Sequence, residues 1–148
     1  MAPPFWVLSI PLGFLNVLWP RFYSVYLTKK AGIEIDLANP RSQTEGNEVS
    51  SKDTDGRITR AYSAHQNGWE AMSMFVAGAL LAFVCGVQQS RISATAAVWL
   101  TSRILYNVAY IIISDNKVAP LRSLIFLVGL CCSFALMIMA AERTSNWS

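Results

Sequence analysis

Three stretches of this 148-residue chain carry no charged side chain: Met1 to Pro20, Ala71 to Ser90 and Ser123 to Ala141. A helix rises 1.5 Å per residue, so about 20 apolar residues cross the hydrocarbon core of a bilayer. Each stretch is close to that length. The charges gather elsewhere, twelve of the twenty-one between Lys29 and Arg60. Charged residues make up 14% of the chain, against roughly 25% in a soluble domain. The hydrophobic share is 53% and the mean hydropathy +0.37. These values point to a single all-α integral membrane domain. They disfavour secreted disulfide scaffolds, nucleic-acid binders and water-soluble enzymes.

The pattern predicts four spans, over about residues 5–28, 60–87, 92–114 and 119–141, with a polar loop over 29–59. Pro11 and Pro20 lie inside the first span and are tolerated if neighbouring helices satisfy the carbonyls they free. Trp6, Trp19, Tyr23 and Tyr26 fit an aromatic belt at the interfaces, and Arg21 is close enough to the helix end to snorkel. The loop contains Asn39-Pro40-Arg41 and a segment, Ser42 to Gly56, with almost nothing to bury. Pro120 suits the first turn of the fourth span.

Basic residues set the orientation. The first and third loops, with adjoining helix ends, carry Lys29, Lys30, Arg41, Lys52, Arg57, Arg60, Lys117 and Arg122, whereas the opposite side carries Arg91 and Arg143. The bias places those loops in the cytoplasm and both termini on the lumenal side. It also explains a net charge of +3 without invoking nucleic acid. The Asn146-Trp147-Ser148 sequon would face the lumen, although its closeness to the membrane argues against its use. Cys85, Cys131 and Cys132 lack metal or redox spacing and are read as small hydrophobes, the adjacent pair on different faces. No metal-ligand cluster is expected.

Polar groups inside spans are costly, and they concentrate function. Arg60, Ser63, Asn67 and Glu70 are spaced by three, four and three, which puts them on one helical face. Arg103, Tyr106 and Tyr110 repeat the pattern in the third span. The two stripes can converge on a cytoplasm-facing cavity that offers guanidinium, amide and phenol donors to an anionic, peptide-like ligand. A structural alternative stands beside this: Glu70 and Arg103 pair with each other, because an unpaired charge at depth is expensive. His65 points away from the stripe and fits a satisfied interfacial residue. Gly78, Ala82 and Gly86 recur every four residues and allow a second helix to approach closely, within the chain or between subunits.

Two segments resemble the MAPEG family, membrane-associated proteins of eicosanoid and glutathione metabolism. The first is Arg60-Ala61-Tyr62-Ser63-Ala64-His65-Gln66-Asn67-Gly68-Trp69-Glu70-Ala71, similar to the family's second-helix signature. The second runs from Arg103 through Tyr106 to Tyr110 and continues at Ala119-Pro120-Leu121-Arg122-Ser123. The likeness covers nearly the whole chain except the Ser42–Gly56 loop. It implies a homotrimer of four-helix bundles in the endoplasmic reticulum, akin to microsomal glutathione transferases. Glutathione would be the cosubstrate, lying in a cytoplasmic-side cleft, with a lipophilic substrate entering from the membrane lipid.

Carried over by position, Asn67, Glu70, Tyr106 and Tyr110 would hold glutathione, with Lys30 reaching from the first span; Arg60 and Arg103, from the two polar stripes, join them as candidate contacts. Arg122 would stabilise its thiolate, with Lys117 as the alternative. A cation beside a thiol favours the nucleophilic thiolate. The implied activity is glutathione transfer or peroxide reduction on a lipophilic molecule. One departure stands out: glutathione-using members usually carry arginine where this chain has Ser63, and the non-catalytic five-lipoxygenase-activating members carry a small hydroxyl residue there. The second reading is therefore a lipid-binding or partner-presenting membrane protein, with Arg60, one turn earlier, as a possible substitute for the missing cation.

Overall fold

The computed structural model describes residues 3–35, 47–115 and 117–145. The Asn39-Pro40-Arg41 element and the Asn146-Trp147-Ser148 sequon lie outside the described residues. Among the described residues there are four long helices and one short one: α1 (Phe5–Lys30), α2 (Asn47–Lys52), α3 (Arg57–Val84), α4 (Gln89–Ile112) and α5 (Ala119–Thr144). Of the long helices, α1, α3 and α5 are long and apolar enough to cross a membrane. The fourth, α4, carries Arg91 and Arg103 and turns its polar residues inward: Ser102, Arg103 and Asn107 are all buried. The result is the expected all-α membrane four-helix bundle.

Local chemistry explains where the helices stop. The α3 end is a Schellman motif: Val87 N–H donates to Ala82 O and Gly86 N–H to Phe83 O, with Gly86 at φ +74°. The α1 end repeats it through Ile33, Thr28, Gly32 and Lys29, and Gly32 has φ +67°. The α3–α4 turn is therefore short and defined by its backbone. It also removes Gly86 from the predicted small-residue stripe, since that glycine serves the turn. Gly78 does mediate close approach within the chain: a Cβ there would lie 2.9 Å from the Ser133 carbonyl of α5.

At the start of α3 the orphan amides are satisfied from outside the helix. Asp53 Oδ1 accepts from Ile58 N–H, while Oδ2 accepts from the amide and hydroxyl of Thr59. A carboxylate is favourable at this positive end of the helix dipole. The polar loop is not wholly without a core, contrary to the sequence reading. Val49 of α2 is 3% exposed and packs with Ile33 and Ile58, so α2 is clipped to the segment just after α1 and to the first turn of α3.

Helices α1 and α4 run parallel to each other and antiparallel to α3 and α5. Trp6 at the α1 start meets Phe83 near the α3 end and receives Ser93 of α4 as an acceptor. At the centre Phe75 and Trp99 stack with ring centroids 3.9 Å apart and planes 12° from parallel. Such a pair adds about 0.5–1.5 kcal/mol beyond its buried area. Trp6 is 5% exposed and belongs to this core, so it is not part of the expected belt; Tyr26, 57% exposed, fits that role. Cys85 and Cys132 are buried as expected, but Cys131 faces outward from α5.

The proline expectation is met at Pro20. Pro20 has no N–H, so the Asn16 carbonyl four residues earlier loses its helical donor. Asn107 of α4 supplies one, Nδ2 to Asn16 O at 2.8 Å. His65 of α3 supports the adjacent turn, its Nδ1 2.7 Å from Val17 O. Trp69 Nε1 donates to His65 Nε2 at 3.3 Å, which assigns the proton to Nδ1 and makes the histidine a structural bridge. Replacing Asn107 with leucine should lower stability by about 1–3 kcal/mol, since the Asn16 carbonyl loses its partner. Pro20→Ala in the same chain should recover part of that loss by restoring a backbone donor. Thermal unfolding of the four combinations in detergent measures the coupling, and simple additivity would contradict this account.

Candidate functional site

The polar stripes of α3 and α4 do converge, and the first turns of α5 close the space between them. Asn67, Glu70, Tyr106, Tyr110 and Arg122 line one cavity of about 420 Å³. Its remaining wall is Ser123, quoted in the sequence reading only as the end of a motif, with Phe126 and Leu127, which that reading did not single out. They lie in an almost uniformly apolar helix where no polar spacing marks them. Phe126 was nonetheless accessible to sequence reasoning, because it sits four residues after Arg122 and thus on the same face.

Within the cavity Asn67 Nδ2 donates to Tyr106 Oη at 2.9 Å. The phenol thereby acts as acceptor from the amide, and its own proton is left to point at a ligand. Tyr106 and Tyr110 lie with ring centroids 5.4 Å apart. The Arg122 guanidinium sits 4.8 Å over the Tyr110 ring, and its Nη1 makes a long 3.4 Å bond to the Ile113 carbonyl. Arg122 also stands in the first turn of α5, whose positive dipole end favours an anion. Glu70, exposed on α3, brings the one carboxylate of the cavity wall.

The other predicted residues are placed elsewhere. Arg103 is 2% exposed and stacks on Tyr106 at 4.3 Å and Phe126 at 5.1 Å, behind the cavity wall. Among the described residues its Nη1 and Nη2 have no hydrogen-bond partner. The suggested Glu70–Arg103 ion pair is not formed among the described residues; both instead line a second cavity of about 200 Å³ with Met74 and Ser133. Space explains the position. A Cβ on Gly129 would lie 3.1 Å from Arg103 Cδ, so the glycine leaves room that draws the arginine toward α5.

Arg60 does not reach the cavity. Its Nε donates to Ile111 O at 3.1 Å and its Nη1 to Asp55 O at 2.8 Å. Lys30 is exposed at the end of α1 and Lys117 is exposed in the α4–α5 turn, where its amide donates to Asp115. Neither lines the cavity, which leaves Arg122 as the cation on its wall. Ser63 is half-buried on α3 and is also absent from the lining. Among the described residues no group of three or more histidine, cysteine or acidic side chains could hold a metal ion.

Beside the polar cavity an apolar groove of about 630 Å³ runs along the outer faces of α4 and α5, between Val98, Leu124, Val128 and Cys131. Leu127 lines both spaces. A polar chamber and an apolar groove thus share one wall.

No curated protein and no solved structure matches the chain. The model of the MAPEG family matches residues 6–141, which takes in all four long helices and every wall of the cavity. With both stripes, the Ala-Pro-Leu-Arg-Ser turn and the bundle in place, the chain belongs to the MAPEG family, helical membrane proteins of eicosanoid and glutathione metabolism.

Proposed function

We propose that the protein is a glutathione-dependent transferase or peroxidase acting on a lipophilic electrophile or lipid peroxide. The observation that carries this reading is the meeting of Asn67, Glu70, Tyr106, Tyr110 and Arg122 around one cavity. Glutathione offers two carboxylates, an ammonium, amide groups and a thiol. Glu70 suits the ammonium, and the amide and phenols suit the carboxylates and carbonyls. Arg122, in the first turn of α5, stabilises the thiolate. The sulfur then attacks an electrophilic carbon with loss of its leaving group. In the peroxide reaction it attacks the distal oxygen of the hydroperoxide. The O–O bond breaks to give glutathione sulfenic acid and an alkoxide, which takes a proton from water to leave as the alcohol. A second glutathione converts the sulfenic acid to the disulfide and water. The apolar groove that shares Leu127 is a route for the lipophilic partner from the bilayer. Under the same proposal the protein works as a homotrimer in the endoplasmic reticulum, with loops 1 and 3 cytoplasmic and both termini lumenal.

A second reading, a non-catalytic lipid-binding or partner-presenting membrane protein, draws support from one observation. Ser63 supplies no cation, and Arg60, the substitute, is engaged with the backbone carbonyls of Ile111 and Asp55.

Calorimetric titration of glutathione and S-methylglutathione into the purified protein separates the two. Saturable binding at millimolar or tighter affinity is expected, and its absence from the folded protein favours the second reading. Arg122→Ala should reduce turnover about a hundredfold or more while leaving the folded protein intact. Unchanged turnover would remove Arg122 from the chemistry. Ser63→Arg should tighten glutathione binding about ten- to a hundredfold, as a charge-assisted contact of about 1.5–3 kcal/mol would, if the missing cation limits affinity.

A further inference from the structure

Helix α4 ends with a deficit that its own sequence does not correct. Its last carbonyls have no helical donors, and there is no basic residue in its last turn to meet the negative end of the dipole. Two arginines from neighbouring helices approach it instead. Arg60 of α3 donates to Ile111 O, and Arg122 of α5 donates to Ile113 O. Between these acceptors and the cavity stands Tyr110, whose ring lies under the Arg122 guanidinium.

We propose that Arg60 is a positioning residue for Arg122: it fixes the last turn of α4, from which Tyr110 and the Ile113 carbonyl hold the Arg122 guanidinium toward the cavity. This inference rests on the glutathione reading above. Three observations carry it. The Arg60–Ile111 bond at 3.1 Å is tighter than the 3.4 Å bond of Arg122 to Ile113, so the firm attachment of this turn lies on the α3 side. Ile111 is 4% exposed and packs on Ala61 and Ala64 of α3, so the turn and α3 move together. The second Arg60 bond, to Asp55 O, ties the same guanidinium to the loop that Asp53 and Val49 fasten down. Arg60 thus acts on the site without touching its wall.

The test uses the full-length protein in detergent with glutathione and a soluble activated aryl halide. The ultraviolet thiolate band of bound glutathione, kcat and KM are measured for wild type, Arg60→Ala, Arg60→Lys, Arg122→Ala and the Arg60→Ala/Arg122→Ala pair. Arg60→Ala is expected to lower the thiolate fraction and kcat about ten- to a hundredfold, the scale of a misplaced catalytic group, with little change in KM for glutathione. Arg60→Lys keeps a cation and one donor at the helix end and should show a smaller loss of the same kind. In the Arg122→Ala background the Arg60 substitution should have no further effect on the thiolate.

A full thiolate band in Arg60→Ala overturns the inference, as does an additive loss in the double variant. A loss confined to KM would mean that Arg60 meets the ligand itself, which also overturns it. If Arg60→Ala does not fold, Arg60→Lys decides by the same criteria. Failure of wild type to bind glutathione removes the proposed function and this inference with it. Normal wild-type binding and an unaltered thiolate in the Arg60 variants removes the inference alone.

Discussion

A guanidinium carried by a membrane helix cannot face hydrocarbon without a large cost, so Arg103 sets the rotation of α4. With Arg103 turned inward, residues three, four and seven positions later follow: Tyr106 and Asn107 are buried and Tyr110 comes to the cavity wall. The same rotation sends Asn107 to the carbonyl freed by Pro20 and leaves Val98 and Leu105 on the outer face. The cavity, the proline repair and the apolar groove all depend on that one orientation. Gly129 and the rings of Tyr106 and Phe126 provide the space and the flat surfaces that keep the side chain there.

Much of this was legible in the sequence because helical spacing is a strong signal. Asn67, Glu70, Tyr106 and Tyr110 fall on stripes that must face inward, and the structure puts them around one space with Arg122. Spacing fails at helix ends, where side chains answer to backbone groups that have no helical partner. Arg60 shares the face of Asn67 and Glu70 yet is captured by carbonyls of α4 and the preceding loop. Gly86 continues a four-residue repeat yet belongs to a turn. The Val49 clip was hidden for another reason: one apolar residue in a polar segment has no periodicity, and its partners Ile33 and Ile58 are distant in sequence.

Backbone carbonyls recur as the hidden half of the polar architecture. Asn16, Val17, Ile111 and Ile113 each receive a side chain from another helix. Inside a bilayer the carbonyls of Asn16 and Val17 have no water to turn to, so the irregularity at Pro20 selects the polar residues opposite it. The end of α4 draws Arg60 and Arg122 in the same way. This separates two populations of polar side chain in one bundle. His65 and Asn107 complete the fold, whereas Asn67 and Tyr106 bond to each other at a cavity.

The two ends of the bundle are built from different materials. At one, α3 passes into α4 through a brief Schellman turn whose bonds are backbone to backbone, with Trp6 and Phe83 packed against it. At the other, the helix ends are joined by arginine-to-carbonyl bonds that water can replace, and the cavity lies among them. A molecule that enters the cavity therefore meets side-chain bonds at Ile111 and Ile113, while the backbone-bonded turn at residues 85–88 lies at the far end of the bundle.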